Sequence, residues 1–128
     1  MSELPRQDLV ARARVFSVRL LKVCEGLFRD PGCSRRFVEN LAAAGTAIGQ
    51  NLSEAQSSMS RRQMAQCYRV ALRESREARH SLQIVHDLHK GDASEVAWLA
   101  GEANEFIAML VTSVRRLDEP ADRDGSLR

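Results

Sequence analysis

The chain has 128 residues, of which 44% are hydrophobic and only 5% aromatic, and its 19 basic and 17 acidic residues leave a net charge of +2. One domain is the expected count for this length, and a composition rich in Ala, Leu, Arg and Glu favours helices over a β-sandwich. No apolar run approaches the ~20 residues of a membrane span, the N-terminus does not read as a secretory signal, and three cysteines without a Cys-x-x-Cys pair fit a reducing compartment, so we expect a cytoplasmic protein.

Two helices are predicted in the first half of the chain. The first spans about 8–28 and ends at the Asp-Pro-Gly of 30–32. Its apolar side chains recur at steps of three and four, at Leu9, Ala13, Phe16, Leu20, Cys24 and Leu27. The second spans about 34–55 and contains Gly45 and Gly49. Each glycine costs about 1 kcal/mol in a helix interior, which indicates a kink or a close approach of another backbone.

Two more helices follow, and both have recognisable starts. Ser60 with Gln63 three residues later has the spacing of a capping box, and Asp92 with Glu95 has the same spacing. We expect the third helix to end near 89–91, where a glycine follows a lysine, and the fourth near Leu117.

Four helices of similar length joined by short loops predict an all-α protein, an antiparallel up-down four-helix bundle. The predicted bundle domain is 8–118, preceded by an N-terminal tail (1–7) and followed by a disordered C-terminal tail (119–128).

The third helix has two contrasting faces. At 100° per residue, its predicted core positions are Met64, Cys67, Ala71, Ser75, Ala78, Leu82, Val85 and His89. Four arginines fall together on the opposite side: Arg62, Arg69, Arg73 and Arg76. The segment 57–91 carries seven basic and three acidic residues, so it is the basic part of the chain, and its arginines are Arg61, Arg62, Arg69, Arg73, Arg76 and Arg79.

These six arginines are the candidate nucleic-acid-binding residues, and the pattern leaves two interpretations open. Arginines one turn apart can follow a phosphate backbone. In a lone protomer a solvated helix face, supported by pairs such as Arg73 with Glu77, is the simpler interpretation. Subunits that place such helices side by side would add their fields and favour nucleic acid.

Apolar side chains outside the core faces indicate self-association. On the third helix Val70, Ile84 and Leu88 form a second strip with Glu77 among them, and on the fourth Trp98 and Met109 lie off the main stripe. The alternative is a wide core face or scattered exposed apolar residues.

The sequence predicts no catalytic residues, metal or cofactor. Glu77 and His80 have the Glu-x-x-His spacing of di-iron bundles, but that chemistry needs two such motifs facing inward. His86 and His89 form a pair without a third ligand. No nucleophile constellation or Gly-rich phosphate loop is present in the sequence, so we expect a protein that is not an enzyme.

Three segments carry a resemblance to a known family. Residues 41–56 (LAAAGTAIGQNLSEAQ) resemble its G-T-S-I-G-x-N-I-x-E-A-Q segment, 60–64 (SRRQM) its S-K/R-K/R-D-F helix start, and 71–79 (ALRESREAR) its A-L-K-E-A/C-R-E-T-R stretch. The chain is thus similar to the small four-helix bundle proteins encoded by intervening sequences within bacterial large-subunit ribosomal RNA genes. Accessory proteins of diversity-generating retroelements are related to them.

The resemblance implies a homopentamer with a basic surface for RNA or DNA and no enzymatic activity. In the retroelement branch it implies a barrel that binds a reverse transcriptase, so a platform for a partner protein is the alternative function. The chain departs from the pattern at 79–81, where members of the family often carry a Tyr-Trp pair. We expect seven residues to make helix–helix or subunit–subunit contacts: Gly45, Gly49, Asn51, Glu54, Glu77, Trp98 and Met109. For the polar Asn51, Glu54 and Glu77, the alternative is a ligand site.

Overall fold

The computed structural model describes residues 6–119, with side chains from Leu9 onward. It contains helices α1 (Arg6–Phe28), α2 (Arg35–Gln56), α3 (Arg61–Asp87) and α4 (Ala93–Asp118), and no strand among the described residues. The predicted all-α class is therefore confirmed, and α1 begins slightly earlier than predicted. The predicted tails lie outside the described residues, apart from residues 6–7, which begin α1, and residue 119.

The four helices form the predicted antiparallel up-down bundle. Each helix packs against its neighbours in chain order and α4 returns to α1, whereas the diagonal pairs do not pack on each other. The short loops at 29–34, 57–60 and 88–92 force this arrangement, because each must return the chain beside the helix it has just left. Between residues 6 and 119, no helix is long and apolar enough to cross a bilayer.

Side chains cap the starts of α3 and α4 as the sequence predicts. The Ser60 hydroxyl accepts the Gln63 N–H at 3.1 Å, and the Gln63 side chain accepts the backbone N–H of Met59 at 2.9 Å. Asp92 accepts the N–H of Glu95 at 2.9 Å. These contacts satisfy N–H groups that have no partner inside the helix and so fix both starting points.

The loop after α3 reverses the chain through two left-handed residues. α3 ends at Asp87, His89 has φ of 56° and Gly91 has φ of 70°. Lys90 places its ammonium 3.0 Å from the Asp30 carboxylate and so ties this loop to the one between α1 and α2.

The core fills the space between the four apolar faces. Phe16 and Phe106 meet edge to face at its centre, with ring centroids 5.6 Å apart. The other large, fully buried side chains around them are Leu20, Leu41, Ile48, Leu82, Leu99 and Leu110. Ser75 is the buried polar residue of this core, and its hydroxyl donates to the Ala71 carbonyl at 2.8 Å.

The predicted core face of α3 is correct in its second half and wrong at both ends. Met64 and Cys67 are only half-buried, while Ala65 and Tyr68 are buried in their place. The first turns of α3 thus bury the flank that faces α4. His89 is exposed because it follows the end of the helix and its left-handed backbone leaves the helical register.

The glycines of α2 allow a close approach to α1. A β-carbon on Gly45 would lie 1.9 Å from Cδ2 of Leu20, whereas one on Gly49 would lie 3.4 Å from Cβ of Ala13. Ser17 on α1 donates to the Gly45 carbonyl at 3.3 Å. The predicted close approach is therefore present, and it is tight at Gly45 alone.

Candidate nucleic-acid interface

A ridge of polar side chains runs along the solvent face of α3. We call it the α3 ridge, and its members, spaced alternately by four and three residues, are Arg62, Gln66, Arg69, Arg73, Arg76 and His80. All six are exposed. At 1.5 Å per residue, Arg62 and Arg76 are about 21 Å apart along a straight helix. The ridge therefore presents a line of guanidinium groups on a rigid support.

Three arginines of the ridge are available to an anion. Arg62 and Arg76 make no hydrogen bond or ion pair within the described residues. Arg73 has one weak contact, to the Glu74 carboxylate at 3.6 Å, and its side chain is 66% exposed. Their guanidinium groups keep nearly all of their donors for a ligand.

Arg61 is turned away from the ridge and caps the end of α4. Its Nη2 donates to the carbonyl oxygens of Arg116 at 2.6 Å and of Glu119 at 2.9 Å, while its Nε is buried without a partner. A cation at the negative end of a helix dipole is a stabilising arrangement. This guanidinium is therefore engaged in holding α3 and α4 together.

Two further predicted arginines contact α4. Arg69 forms an ion pair with Asp118 at the end of α4, and Arg79 donates to the side-chain oxygen of Asn104 at 3.1 Å. The six predicted arginines thus fall into three that are available and three that are engaged with α4. This division depends on where α4 lies and could not be deduced from spacing along α3.

The opposite flank of α3 contains a carboxylate that the sequence analysis did not single out. Glu74 has only 15% of its side chain exposed, and burial together with the nearby charge of Glu77 raises the pKa of the Glu74 carboxyl. Glu77 itself is exposed, beside the half-buried Val70 and Ile84. Glu74 is therefore a largely buried carboxylate whose ion-pair contact with Arg73, at 3.6 Å, is weak.

Of the polar candidates of α2, Asn51 has a partner within its own helix, and the Glu54 side chain has none among the described residues. Asn51 is half-buried and donates to the Ala47 carbonyl at 2.9 Å, a bond within its own helix. Glu54 is exposed. Their predicted role in contacts between helices or subunits stays a prediction.

Trp98 and Met109 lie along the seam between α1 and α4. Arg19 of α1 places its guanidinium 3.4 Å from the centre of the Trp98 ring, and Arg12 approaches the Met109 sulfur at 4.0 Å. Both apolar side chains are half-buried and are partly covered by these arginines. Their predicted role between subunits stays a prediction, but much of this surface is already covered within one protomer.

The two arginines are fixed by bidentate ion pairs. Arg19 contacts both carboxylate oxygens of Glu95 at 2.6 and 2.8 Å, and Arg12 contacts both of Glu102 at 2.7 and 2.8 Å. The sequence held a signal for this seam. Seven residues separate the two arginines and seven separate the two glutamates, the register that two antiparallel helices require.

Exposed apolar residues lie instead on the outer face of α1. Val15, Val18 and Leu21 are 51%, 48% and 42% exposed. We call these three the α1 apolar face. Leu88, which the sequence analysis placed in the second strip of α3, is also exposed, at 56%. The exposed large apolar residues of the described protomer therefore lie mostly on α1, with Met59 in the loop before α3 and Leu88 after α3 as the others.

The described residues bring together no cluster of three His, Cys, Asp or Glu side chains able to hold a metal ion. His80 is exposed, and His86 contacts the neighbouring Asp87 at 3.1 Å. Burial raises the pKa of the Cys24 thiol to about 11, so at neutral pH it is a protonated core residue. Among the described residues, the α3 ridge is the arrangement best suited to bind a ligand.

Comparisons with known proteins agree with this architecture. The model of the family described as "23S rRNA-intervening sequence protein" matches residues 6–112. A crystal structure of a protein of unknown function from the S23 ribosomal protein family of Bacteroides thetaiotaomicron is similar, with a TM-score of 0.75, 19% sequence identity, and coverage of 83% of this chain and 97% of that one. No curated protein matches the chain. Since the family model covers most of its length, the chain belongs to the 23S rRNA-intervening sequence protein family.

Proposed function

We propose that the chain is a non-enzymatic, self-assembling helical bundle that binds the phosphate backbone of RNA or DNA through the α3 ridge. The observation that carries this proposal is the line of three available arginines, Arg62, Arg73 and Arg76, along one rigid helix. A guanidinium group donates two parallel hydrogen bonds to a phosphate, and the ridge repeats this group over about 21 Å.

Affinity from such contacts is electrostatic and depends strongly on salt. Three phosphate contacts per protomer give a slope of about −2.7 in the logarithm of affinity against the logarithm of salt concentration. Binding to a single ridge would then weaken about 40-fold between 50 and 200 mM salt.

Self-assembly strengthens this function because it multiplies the ridge. The homopentamer is what the family resemblance implies. The α1 apolar face supports self-association, since three large apolar side chains at successive turns of one helix favour burial against another surface. In a ring, ridges from several protomers would add their positive fields.

A platform for a partner protein, such as a reverse transcriptase, is the second candidate function. The observation that favours it is the same α1 apolar face, because Val15, Val18 and Leu21 are exposed in the protomer. The two functions separate in a pull-down after nuclease treatment, because protein-mediated capture survives the nuclease and depends on α1.

The nucleic-acid proposal is tested with a charge-reversal variant and a matched control. The ridge variant carries Arg62→Glu, Arg73→Glu and Arg76→Glu. The control carries the same three changes at Arg14, Arg29 and Arg36, which are exposed arginines of α1, the following loop and α2.

Both variants are titrated against labelled RNA and DNA duplexes of about 20 base pairs at low and high salt. Circular dichroism and light scattering check helicity and particle mass. We expect the ridge variant alone to lose binding. Equal losses in both variants, or binding that does not respond to salt, would overturn the proposal.

A further inference from the structure

We propose that Asp118 is an internal stand-in for a phosphate. Its carboxylate occupies Arg69 and keeps that guanidinium out of nucleic-acid binding, so that the ridge works below its full strength. This inference rests on the function proposed above and assigns a regulatory role at the same surface.

The position of Arg69 gives the contact its importance. Arg69 lies in the ridge between Arg62 and Arg73, seven residues after one and four before the other. A phosphate backbone that follows the ridge therefore passes directly over it. The ion pair with Asp118 places a negative charge at the centre of the binding line.

Asp118 reaches this position because the end of α4 is fastened to the start of α3. α4 ends at Asp118, and Arg61 binds the carbonyl oxygens of Arg116 and Glu119 on either side of it. The terminal turn is thus held where its carboxylate meets Arg69.

The contact is also weak enough to exchange. The side chains of Arg69 and Asp118 are 46% and 50% exposed, and an exposed ion pair contributes little to stability because water competes for both charges. Asp118 is the last residue of its helix, so its side chain can leave Arg69 without any loss of core packing. A carboxylate and a phosphate present equivalent acceptor oxygens to a guanidinium, and only one of them can occupy it.

This arrangement predicts a specific pattern of coupling between the two residues. Asp118→Asn removes the competitor and frees a fourth arginine, so affinity for the duplex should rise about three- to tenfold at 50 mM salt and the salt slope should steepen by about 0.9. Arg69→Gln alone should leave the salt slope nearly unchanged, because that guanidinium makes no phosphate contact while Asp118 occupies it. In the double variant the steeper slope that Asp118→Asn produces should disappear.

The experiment titrates all four proteins against a labelled RNA duplex of about 20 base pairs at several salt concentrations. Glu105→Gln is the matched control, since it removes the same charge from an exposed position of α4 thirteen residues earlier. Asp118→Ala serves as a second variant, and circular dichroism verifies that each protein keeps its helices.

Each outcome decides the matter. An unchanged affinity for Asp118→Asn, or a steeper salt slope that persists with Arg69→Gln or that Glu105→Gln reproduces, overturns the inference while the proposed function stands. If the ridge variant binds the duplex as tightly as the unaltered protein, the proposed function fails, and this inference fails with it.

Discussion

Leu20 of α1 occupies the space that a side chain on Gly45 of α2 would need. A β-carbon on Gly45 would lie 1.9 Å from Cδ2 of Leu20, and Leu20 is fully buried. The glycine therefore sets the distance between the two helices. A β-carbon on Gly49, one turn later, would lie 3.4 Å from Cβ of Ala13, which is an ordinary van der Waals distance.

The two glycines should respond to alanine with opposite signs. Gly45→Ala forces Leu20 to move within a packed core, at a cost of about 1–3 kcal/mol that exceeds the ~1 kcal/mol of helix propensity gained. Gly49→Ala gains the propensity with little strain and should be neutral or stabilising. Urea unfolding of both variants checks this, and equal effects at the two positions would contradict the assigned helix spacing.

Gly45 also illustrates what a sequence can predict about this fold. The four helices, the caps at Ser60 and Asp92, and the buried face of α1 depend on periodicity and on local hydrogen bonds, which the sequence displays directly. The close approach at Gly45 was indicated because glycine is costly inside a helix. Its partner Leu20 was not, since that depends on how two helices align.

At the candidate site, the sequence predicts where the arginines lie along α3 but not which of them are available to a ligand. Spacing along α3 predicts that Arg62, Arg69, Arg73 and Arg76 share one face, and all four are exposed there. Whether each guanidinium is available depends on α4: Arg61 binds the last carbonyls of that helix, and Arg69 binds Asp118. These contacts join residues about fifty positions apart in the chain, so no local pattern reveals them.

Trp98 provides an optical measure of the seam between α1 and α4. It is the only tryptophan of the chain, and the Arg19 guanidinium covers its ring at 3.4 Å while pairing with Glu95. Arg19→Ala should expose the ring, shift its fluorescence emission to longer wavelength, and destabilise the protein by about 1 kcal/mol. Arg14→Ala on the outer face of α1 should leave the emission unchanged. An unshifted spectrum in Arg19→Ala would show that the arginine does not cover the ring.

The ionised carboxylate of Glu74 should lower the free energy of unfolding at neutral pH. Burial and the charge of Glu77 raise the pKa of its carboxyl, so folding favours the protonated form. The stability it contributes is present below its unfolded pKa and is lost as the pH rises through the folded pKa.

Glu74→Gln should therefore raise the melting temperature at pH 7 and have less effect near pH 4. Glu25→Gln changes the same charge at an exposed position of α1, a helix that does not pack against α3, and is the control. Thermal unfolding at the two pH values measures the difference. A fall in melting temperature for Glu74→Gln at pH 7 would mean that the ionised carboxylate has a stabilising partner.

Three carboxylates at one end of the bundle have lowered pKa values, so their effect on stability depends on pH in the opposite direction to that of Glu74. Lys90 lowers the pKa of Asp30, the backbone N–H of Glu95 lowers that of Asp92, and Arg19 lowers that of Glu95. Each favours the ionised form in the folded state, so its contribution is present above the unfolded pKa and is lost as the pH falls through the folded one.

The free energy of unfolding should therefore decline as the pH drops below about 4.5, the ordinary value for glutamate, and continue to fall below 3.8, that for aspartate. Asp92→Ala removes one of these groups together with the α4 cap, at a cost of about 1 kcal/mol at neutral pH. Its stability should depend less on pH in this range than that of the unaltered chain. Urea unfolding between neutral pH and about pH 3 tests both statements, and parallel pH profiles for the two proteins would show that the cap does not depend on the charge of Asp92.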